Sequence, residues 1–405
     1  MKRICFVTSG VLPIPAVRGG AVEQLVQQLC EDNERDPQFK ITCITQYDKE
    51  AVNLQRAYKY TRFVNIKIGN RLCQWINKKT HGLVRHLTGK SVPTIYIYGY
   101  CANRYLRKHA EKFDLVIAEA CDPRLLKSLS KKNGREKLCL HIHGPLQAHP
   151  ELEAIYGSIL AVSGFIKNNY ISTAQHTSQE NALVLMNGID LNKFNKTITE
   201  ENKKELRSKL DIKPNDFVVM FCGRIIKEKG VKELIEAVIG IPNPFVKLLI
   251  VGSSNFGNAN KGAYQNEVTD LSQRHKDRIV FTGFIKNEEL WKYYKIADIA
   301  AVPSRWQDPC PLVMFEILAS GLPSIATHMG GIPEIASLET TIFIENDSRI
   351  IGSLQNAIAL LYSSPDMRKE MSHASIKRSQ LFDRKNYFES FCNRVNYLMN
   401  KAEEK

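Results

Sequence analysis

Two carboxylates, Asp308 and Glu316, stand with seven residues between them in the stretch PSRWQDPCPLVMFEILASGLP. The run IAAVPS before them reads as a buried strand, and Pro309 and Pro311 set up a helix start. Asp308 then falls in the loop ahead of the helix. The amides of Cys310, Leu312 and Val313 belong to that loop and the first helical turn, and Pro311 contributes none. Glu316 sits about one turn further in. Carboxylates accept paired hydrogen bonds from vicinal diols, and a helix N-terminus suits an anion such as phosphate. One short stretch thus offers a contact for sugar hydroxyls, one for phosphate and a second acid for ribose. The same residues also fit an ordinary N-cap and an exposed helix acid.

Other loops carry chemistry of the same kind. In FVVMFCGRIIKEKGVKELIEAV a buried strand ends at Gly223-Arg224, and Lys229-Gly230 precede a helix. The planar fork of Arg and the mobile charge of Lys at a strand end suit a diphosphate, though surface cations are common in such loops. In GVLPIPAVRGGAVEQLVQQL, Gly19 and Gly20 open a helix and let backbone N–H groups approach a ligand. A Gly-Gly pair also serves as a plain turn. In LCLHIHGPLQ, His143 ends a strand with His141 on its face. An imidazole there can bond a substrate or move a proton, and either ring also fits a satisfied core histidine. ATHMGGIPEI supplies a further Gly-Gly loop, expected to close over a cleft.

These loops need strands and helices to hold them. Short β-branched runs alternate with amphipathic helices, the mark of parallel α/β layers. RICFVTS, ITCITQY, NIKIG, LVIAEA, LCLHIHG, SILAVS and ALVLMNG read as strands of a first domain. DFVVMFCGR, VKLLIVGS, RIVFTGF, IAAVPS, PSIATH and TIFIE restart the rhythm in a second. The polar run GIDLNKFNKTITEENKKELRSKLDIKPND reads as a linker carrying a charged helix. FDRKNYFESFCNRVNYLMNKAEEK reads as a final amphipathic helix. The expected division is 1–186, 187–372 and a C-terminal helix in 373–405 that crosses back to the first domain.

At 405 residues two domains are the default. Apolar content of 43% and charged content of 24% exclude wholesale disorder. No run of about 18 apolar residues predicts a spanning helix. The basic tip and apolar run at the start imitate a signal peptide, but Pro13, Pro15 and Arg18 interrupt it. A buried first strand and a cytoplasmic location are expected. The ten cysteines are scattered, with no Cys-x-x-Cys pair and no Cys/His cluster at zinc spacing, so no metal site is expected. There is no Asp-x-Asp, P-loop or nucleophile-elbow pattern, and no strand-bound Gly-x-Gly-x-x-Gly.

The net charge of +14 is concentrated. Between Ala51 and Ala110 there is no Asp or Glu but twelve Lys and Arg, interleaved with aromatics such as Tyr58, Phe63, Trp75, Tyr98 and Tyr100. A one-signed patch of this size favours an anionic surface, membrane headgroups or nucleic acid. A solvated face that aids solubility is the alternative.

Taken in this order, RGGAVE, HIHG, LAVSGFIKNNY, VLMNGIDLNKF, CGRIIKEKG, LLIVGSS, IVFTGFIKNEELWKYYKIADIAAVPS, DPCPLVMFEILASGLPSIAT and GGIPEI resemble glycosyltransferase family 4. They span nearly the whole chain and are densest from Val184 to Glu334. The resemblance implies an α/β chain of the GT-B fold, with two Rossmann-like doubly wound domains facing across a cleft. It implies a retaining transferase moving a hexose from a nucleotide diphosphate sugar, UDP being the commonest base. The acceptor would be a glycan or lipid-linked species of lipopolysaccharide or capsule synthesis, with no cofactor, no metal and no nucleic-acid partner.

Carried over by position, His143, Arg224, Lys229 and Asp308 are the catalytic set. Gly19, Gly20, Gly223, Ile285, Cys310, Leu312, Val313 and Glu316 are the substrate-binding set. Two departures stand out: Asp308 replaces the family's usual first glutamate, and Cys310-Pro311 replaces its usual Phe-Gly. In this setting the basic segment 51–110 becomes an expected contact with an anionic bilayer, giving a peripheral place on the inner face of the membrane. A nucleotide-sugar 2-epimerase of the same architecture is the competing enzyme. A non-catalytic binder of an anionic surface is the competing non-enzyme.

Overall fold

The computed structural model of the chain describes residues 1–68, 95–252 and 263–404. Residues 69–94 of the basic segment, with Arg71, Trp75, Lys78, Lys79 and Arg85, lie outside the described residues, as does most of the GSSNFG run. The chain divides into two compact units. One is Met1–Met186 together with the stretch from Tyr387 on, and the other is Asn187–Asn386.

The first unit is a seven-stranded sheet of β1 (Lys2–Val7), β2 (Phe39–Gln46), β3 (Thr61–Ile66), β4 (Leu115–Glu119), β5 (Leu138–Ile142), β6 (Ser158–Ala161) and β7 (Ala182–Val184). Their order across the sheet is β3-β2-β1-β4-β5-β6-β7, and all pairs are parallel. The strands are apolar throughout because parallel sheets are covered on both faces. Every residue of β4 and β5 is buried. The run NIKIG placed β3 a few residues late; the strand begins at Thr61, in register with Ile41 of β2.

The second unit has six parallel strands: β8 (Phe217–Cys222), β9 (Val246–Val251), β10 (Ile279–Gly283), β11 (Ile299–Val302), β12 (Ser324–Thr327) and β13 (Thr341–Ile344). Their order is β10-β9-β8-β11-β12-β13. The chain winds outward from β8 through β9 and β10, then returns to the other side of β8 at β11. In such sheets the crevice at the carboxyl ends, where the order reverses, is where ligands bind. Here that point lies between β8 and β11, and in the first unit between β1 and β4.

The polar run expected as a linker is a packed part of the second unit. Its helix Glu200–Lys209 is capped by Thr199. Arg207 is 8% exposed and donates to the carbonyls of Ile296, Lys213 and Asp216. A buried guanidinium needs such partners, so composition alone misjudged the segment.

The helix Arg384–Glu403 packs on the first unit from Tyr387 onward. Phe391 is fully buried, 5.7 Å from the Phe6 ring and 6.1 Å from Phe39. Arg394 donates to the Val184 carbonyl, and Lys401 pairs with Glu180 at 2.7 Å. Among the described residues, no helix is long and apolar enough to cross a membrane.

Candidate functional site

In the second unit, β8 delivers Gly223 and Arg224 at its carboxyl end, and the loop that follows carries Lys229. β11 delivers the loop with Asp308. Asp308 is 4% exposed, and its carboxylate is ion-paired with the Lys229 ammonium. That ammonium also lies 5.8 Å from the centre of the Trp306 ring, a cation–π contact. Asp308 is therefore not a helix cap. Pro311 takes the N-cap position of the helix Leu312–Ser320, with no side-chain cap.

The Met329–Ile332 loop holds the Asp308 peptide in place. Gly331 N–H donates to the Asp308 carbonyl at 2.8 Å, and Gly330 N–H to the Gln307 side chain at 2.6 Å. Gly330 has φ 58°, and a Cβ there would stand 2.2 Å from the Asp308 carbonyl oxygen. Only glycine fits so close to another backbone at a left-handed φ. The Gly-Gly loop read from sequence as a cover thus clamps the backbone of the acid.

Beyond Pro311, the amides of Leu312 and Val313 open the helix, where the helix's own ladder offers no acceptor. Cys310 is buried, and its carbonyl accepts from the Asn187 amide at 3.3 Å. Glu316 is half-buried, and the hydroxyl of fully buried Tyr294 donates to its carboxylate at 2.7 Å. Burial raises the Glu316 carboxyl above the usual carboxylate range, while Tyr294 and the Lys193 ammonium act the other way. Lys193 in turn donates to the Asn287 side chain at 2.5 Å. Arg224 is exposed, and its side chain has no hydrogen-bond or ion-pair partner among the described residues. Ile285 follows the end of β10, half-buried.

In the first unit, Gly19 and Gly20 end the loop after β1, and Gly20 is the N-cap of the helix Ala21–Arg35 at φ 101°. The side chain lying against this turn is Glu23. It is 7% exposed and accepts from the Ser9 hydroxyl at 3.2 Å. Burial raises its carboxyl pKa. The two histidines of β5 and its edge meet the last residue of β4. His141 Nδ1 lies 3.0 and 3.1 Å from the two Glu119 oxygens, and His143 Nε2 lies 2.8 Å from one of them. Glu119 is 1% exposed. Its burial favours the neutral acid, yet the two imidazoles prevail and hold the carboxyl down at about 2. His143 is pushed below its ordinary value by burial and by His141, with Glu119 opposing.

These three side chains place ligand-type atoms within 4.8 Å of one another. The atoms are already hydrogen-bonded to each other, so the cluster is complete as a carboxylate bridging two imidazoles. Sequence reading missed Glu119, Glu23, Tyr294 and Lys193. A single acid closing the apolar run LVIAE was the one available signal for Glu119; nothing in spacing alone marks the others.

Residues 202–378 match the family model for glycosyl transferases group 1. The matched span holds Gly223, Arg224, Lys229, Ile285, Asp308, Cys310, Leu312, Val313 and Glu316, whereas Gly19, Gly20 and His143 lie outside it.

Over its length the chain is similar to spore coat protein SA of Bacillus subtilis (strain 168), 24% identical over 395 residues that cover 93% of this chain and 94% of the relative. It is also similar to the lipopolysaccharide 1,2-N-acetylglucosaminetransferase of Salmonella typhimurium (strain LT2), 26% identical over 224 residues, 55% of this chain and 56% of that enzyme. Among solved structures, Anabaena HepE in complex with UDP-glucose superposes with a TM-score of 0.72 at 19% identity, covering 98% of this chain and 99% of that one. At that identity the likeness establishes the fold: α/β, two Rossmann-like units, GT-B in class.

Proposed function

We propose that the chain is a retaining glycosyltransferase. It moves a hexose from a nucleotide diphosphate sugar, with UDP as the nucleotide, onto a glycan or lipid-linked acceptor of a cell-surface polysaccharide. The observation that carries this reading is the group of charges at the carboxyl ends of β8 and β11. Arg224 is unpaired among the described residues, Lys229 is bound to Asp308, and the first-turn amides of Leu312 and Val313 follow in the same loop.

Breaking the bond between sugar and nucleotide leaves negative charge on a diphosphate. Cations and fixed N–H dipoles aimed at that charge lower the barrier without reorganisation. Lys229 and Arg224 supply the cations, and the helix start supplies the dipoles. Asp308 accepts from sugar hydroxyls, with its backbone fixed by the Gly330-Gly331 loop. Glu316, oriented by Tyr294, accepts from the ribose diol. The sugar gains oxocarbenium character, which a nearby carboxylate stabilises. In the retaining course implied by the family 4 resemblance, the acceptor attacks from the leaving-group face and its proton passes to a diphosphate oxygen. HepE was solved in complex with UDP-glucose, and the Salmonella relative is named as a lipopolysaccharide transferase; both support this choice of donor class and pathway.

The acceptor reading assigns the first unit to the acceptor and the basic segment 51–110 to an anionic bilayer. Its described cations, Arg56, Lys59, Arg62, Lys67, Arg104, Arg107 and Lys108, are exposed. Tyr98, by contrast, is a core residue whose hydroxyl donates to the Ile44 carbonyl at 2.7 Å.

The deciding experiment is a thermal-shift and calorimetric screen of nucleoside diphosphates and their sugars, followed by incubation with the donor that binds. Stabilisation by UDP and its sugars, with donor hydrolysed slowly alone and consumed on adding acceptor, is expected. Isomerisation of the donor at C2 without acceptor identifies an epimerase instead. Absence of any nucleotide binding ends the transferase reading.

A further inference from the structure

We propose that Glu119 is a positioning residue for His143. It holds Nε2–H of that ring, so that Nδ1 is the atom His143 offers to a ligand, as a hydrogen-bond acceptor for a hydroxyl.

The inference starts from sheet register. β4 and β5 are parallel, with Glu119 opposite His141. Side chains two apart along a strand share a face, so His143 falls beside the same carboxylate. A buried carboxylate is costly unless each oxygen is bonded, and it can only accept. Both imidazole nitrogens that meet Glu119 must therefore carry hydrogens: Nδ1 of His141 at 3.0 and 3.1 Å, and Nε2 of His143 at 2.8 Å.

The two rings then differ in what remains. His141 Nε2 is buried with no partner. With no acceptor facing that nitrogen, His141 offers nothing to a ligand and serves as a brace, its ring centre 4.1 Å from that of His143. His143 keeps part of its side chain, 12%, exposed. Its Nδ1 has no partner among the described residues. With Nε2–H committed to Glu119, Nδ1 carries a lone pair and can receive an O–H but not donate to one. Without the carboxylate the ring is free to exchange tautomers or turn over, and that acceptor is no longer fixed. The identity of the hydroxyl, on the sugar or on the acceptor, rests on the transferase reading above; the tautomer does not.

The test is long-range proton–nitrogen NMR on the full chain labelled at histidine nitrogen, at pH 7.5, with the His143 signals assigned by their loss in His143→Asn. Expected in the wild-type protein is a single Nε2–H tautomer for His143. Glu119→Asp, which keeps a carboxylate, retains it, and Glu119→Gln gives the other tautomer or a mixture. With donor and acceptor, Glu119→Gln is expected to lower kcat by about tenfold or more while leaving the donor KM within about threefold, as loss of an orienting acid does to its histidine.

A Nδ1–H tautomer in the wild type overturns the proposal whether or not the variant folds. So does a Glu119→Gln spectrum unchanged at His143. Addition of equimolar Zn²⁺ or Mn²⁺ should leave both histidines unmoved; displacement of both at one equivalent would make the cluster a metal site and overturn the hydrogen-bonding role. A wild-type protein that shows the expected tautomer yet turns over no donor sinks the transferase reading and leaves this one standing.

Discussion

The Lys229 ammonium is bonded to the Asp308 carboxylate, and both side chains are largely enclosed, 17% and 6% exposed. In the proposed reaction these two groups have different duties, the cation toward the departing diphosphate and the acid toward the sugar. Donor binding therefore exchanges one anion for another on Lys229. Asp308→Asn should leave Lys229 without its carboxylate competitor, so UDP binds as tightly as before or more tightly while transfer falls. Lys229→Met should weaken UDP by about tenfold or more, the loss of roughly one charge-assisted hydrogen bond. Calorimetric titration of UDP into each variant reads both. Equal weakening in the two would show that the acid and the cation act as one unit.

Arg224 offers the cleanest separation of binding from stability. It is exposed and makes no side-chain bond among the described residues, so Arg224→Ala should shift the unfolding free energy by less than about 0.5 kcal/mol. Nucleotide affinity should still fall by about tenfold. Arg224→Lys should restore only part of it, because a point charge does not reproduce a planar fork. Full recovery with lysine would argue against bidentate contact with phosphate.

Glu316 predicts a trade between function and stability that depends on pH. Burial raises its carboxyl pKa in the folded chain. A raised carboxyl favours folding at low pH, and that advantage is lost as pH rises through the folded-state value. Glu316→Gln removes the ionisation and keeps an acceptor for the Tyr294 hydroxyl. The variant should unfold at the same temperature as wild type or higher at pH 8, with the gap closing near pH 4, and should transfer poorly. A lower midpoint at pH 8 than at pH 4, relative to wild type, contradicts it.

Gly20 should tolerate no side chain. At φ 101° an added Cβ would meet a Glu23 oxygen at 2.2 Å and the Leu12 Cδ1 at 2.8 Å. Gly20→Ala is expected to destabilise the first unit by about 1–3 kcal/mol, the usual range for a forced backbone conformation. Thermal or urea unfolding measures it, and a variant as stable as wild type would mean that the loop rearranges freely.

The basic segment predicts salt-sensitive adsorption to vesicles that contain anionic lipid, and little to neutral ones. Co-sedimentation at low and high salt tests it. Equal recovery with both lipids would remove the membrane contact from the proposal.

Strands were legible because burial on both faces forces an unbroken apolar run. Each of the runs from RICFVTS to TIFIE, except NIKIG, holds a strand or most of one. β3 was displaced because its solvent-facing members, Arg62 among them, break the run. The run carrying the charged helix Glu200–Lys209 was read as a linker because its packing depends on one buried arginine, and arginine reads as surface. Candidate residues at strand ends were legible as types in place: Gly20 before a helix, His143 after β5, Lys229 after β8, Asp308 after β11.

Partnership was another matter. Lys229 and Asp308 lie 79 residues apart, and Glu119 and His143 lie 24 apart. Residue types and local periodicity are fixed by the chain's own order, because hydrogen-bonding period and apolar alternation act over a few residues. Which acid meets which base follows from strand order and register, with β8 beside β11 and β4 beside β5. Those are set by packing whole sheets at once, so only the tertiary structure decided them.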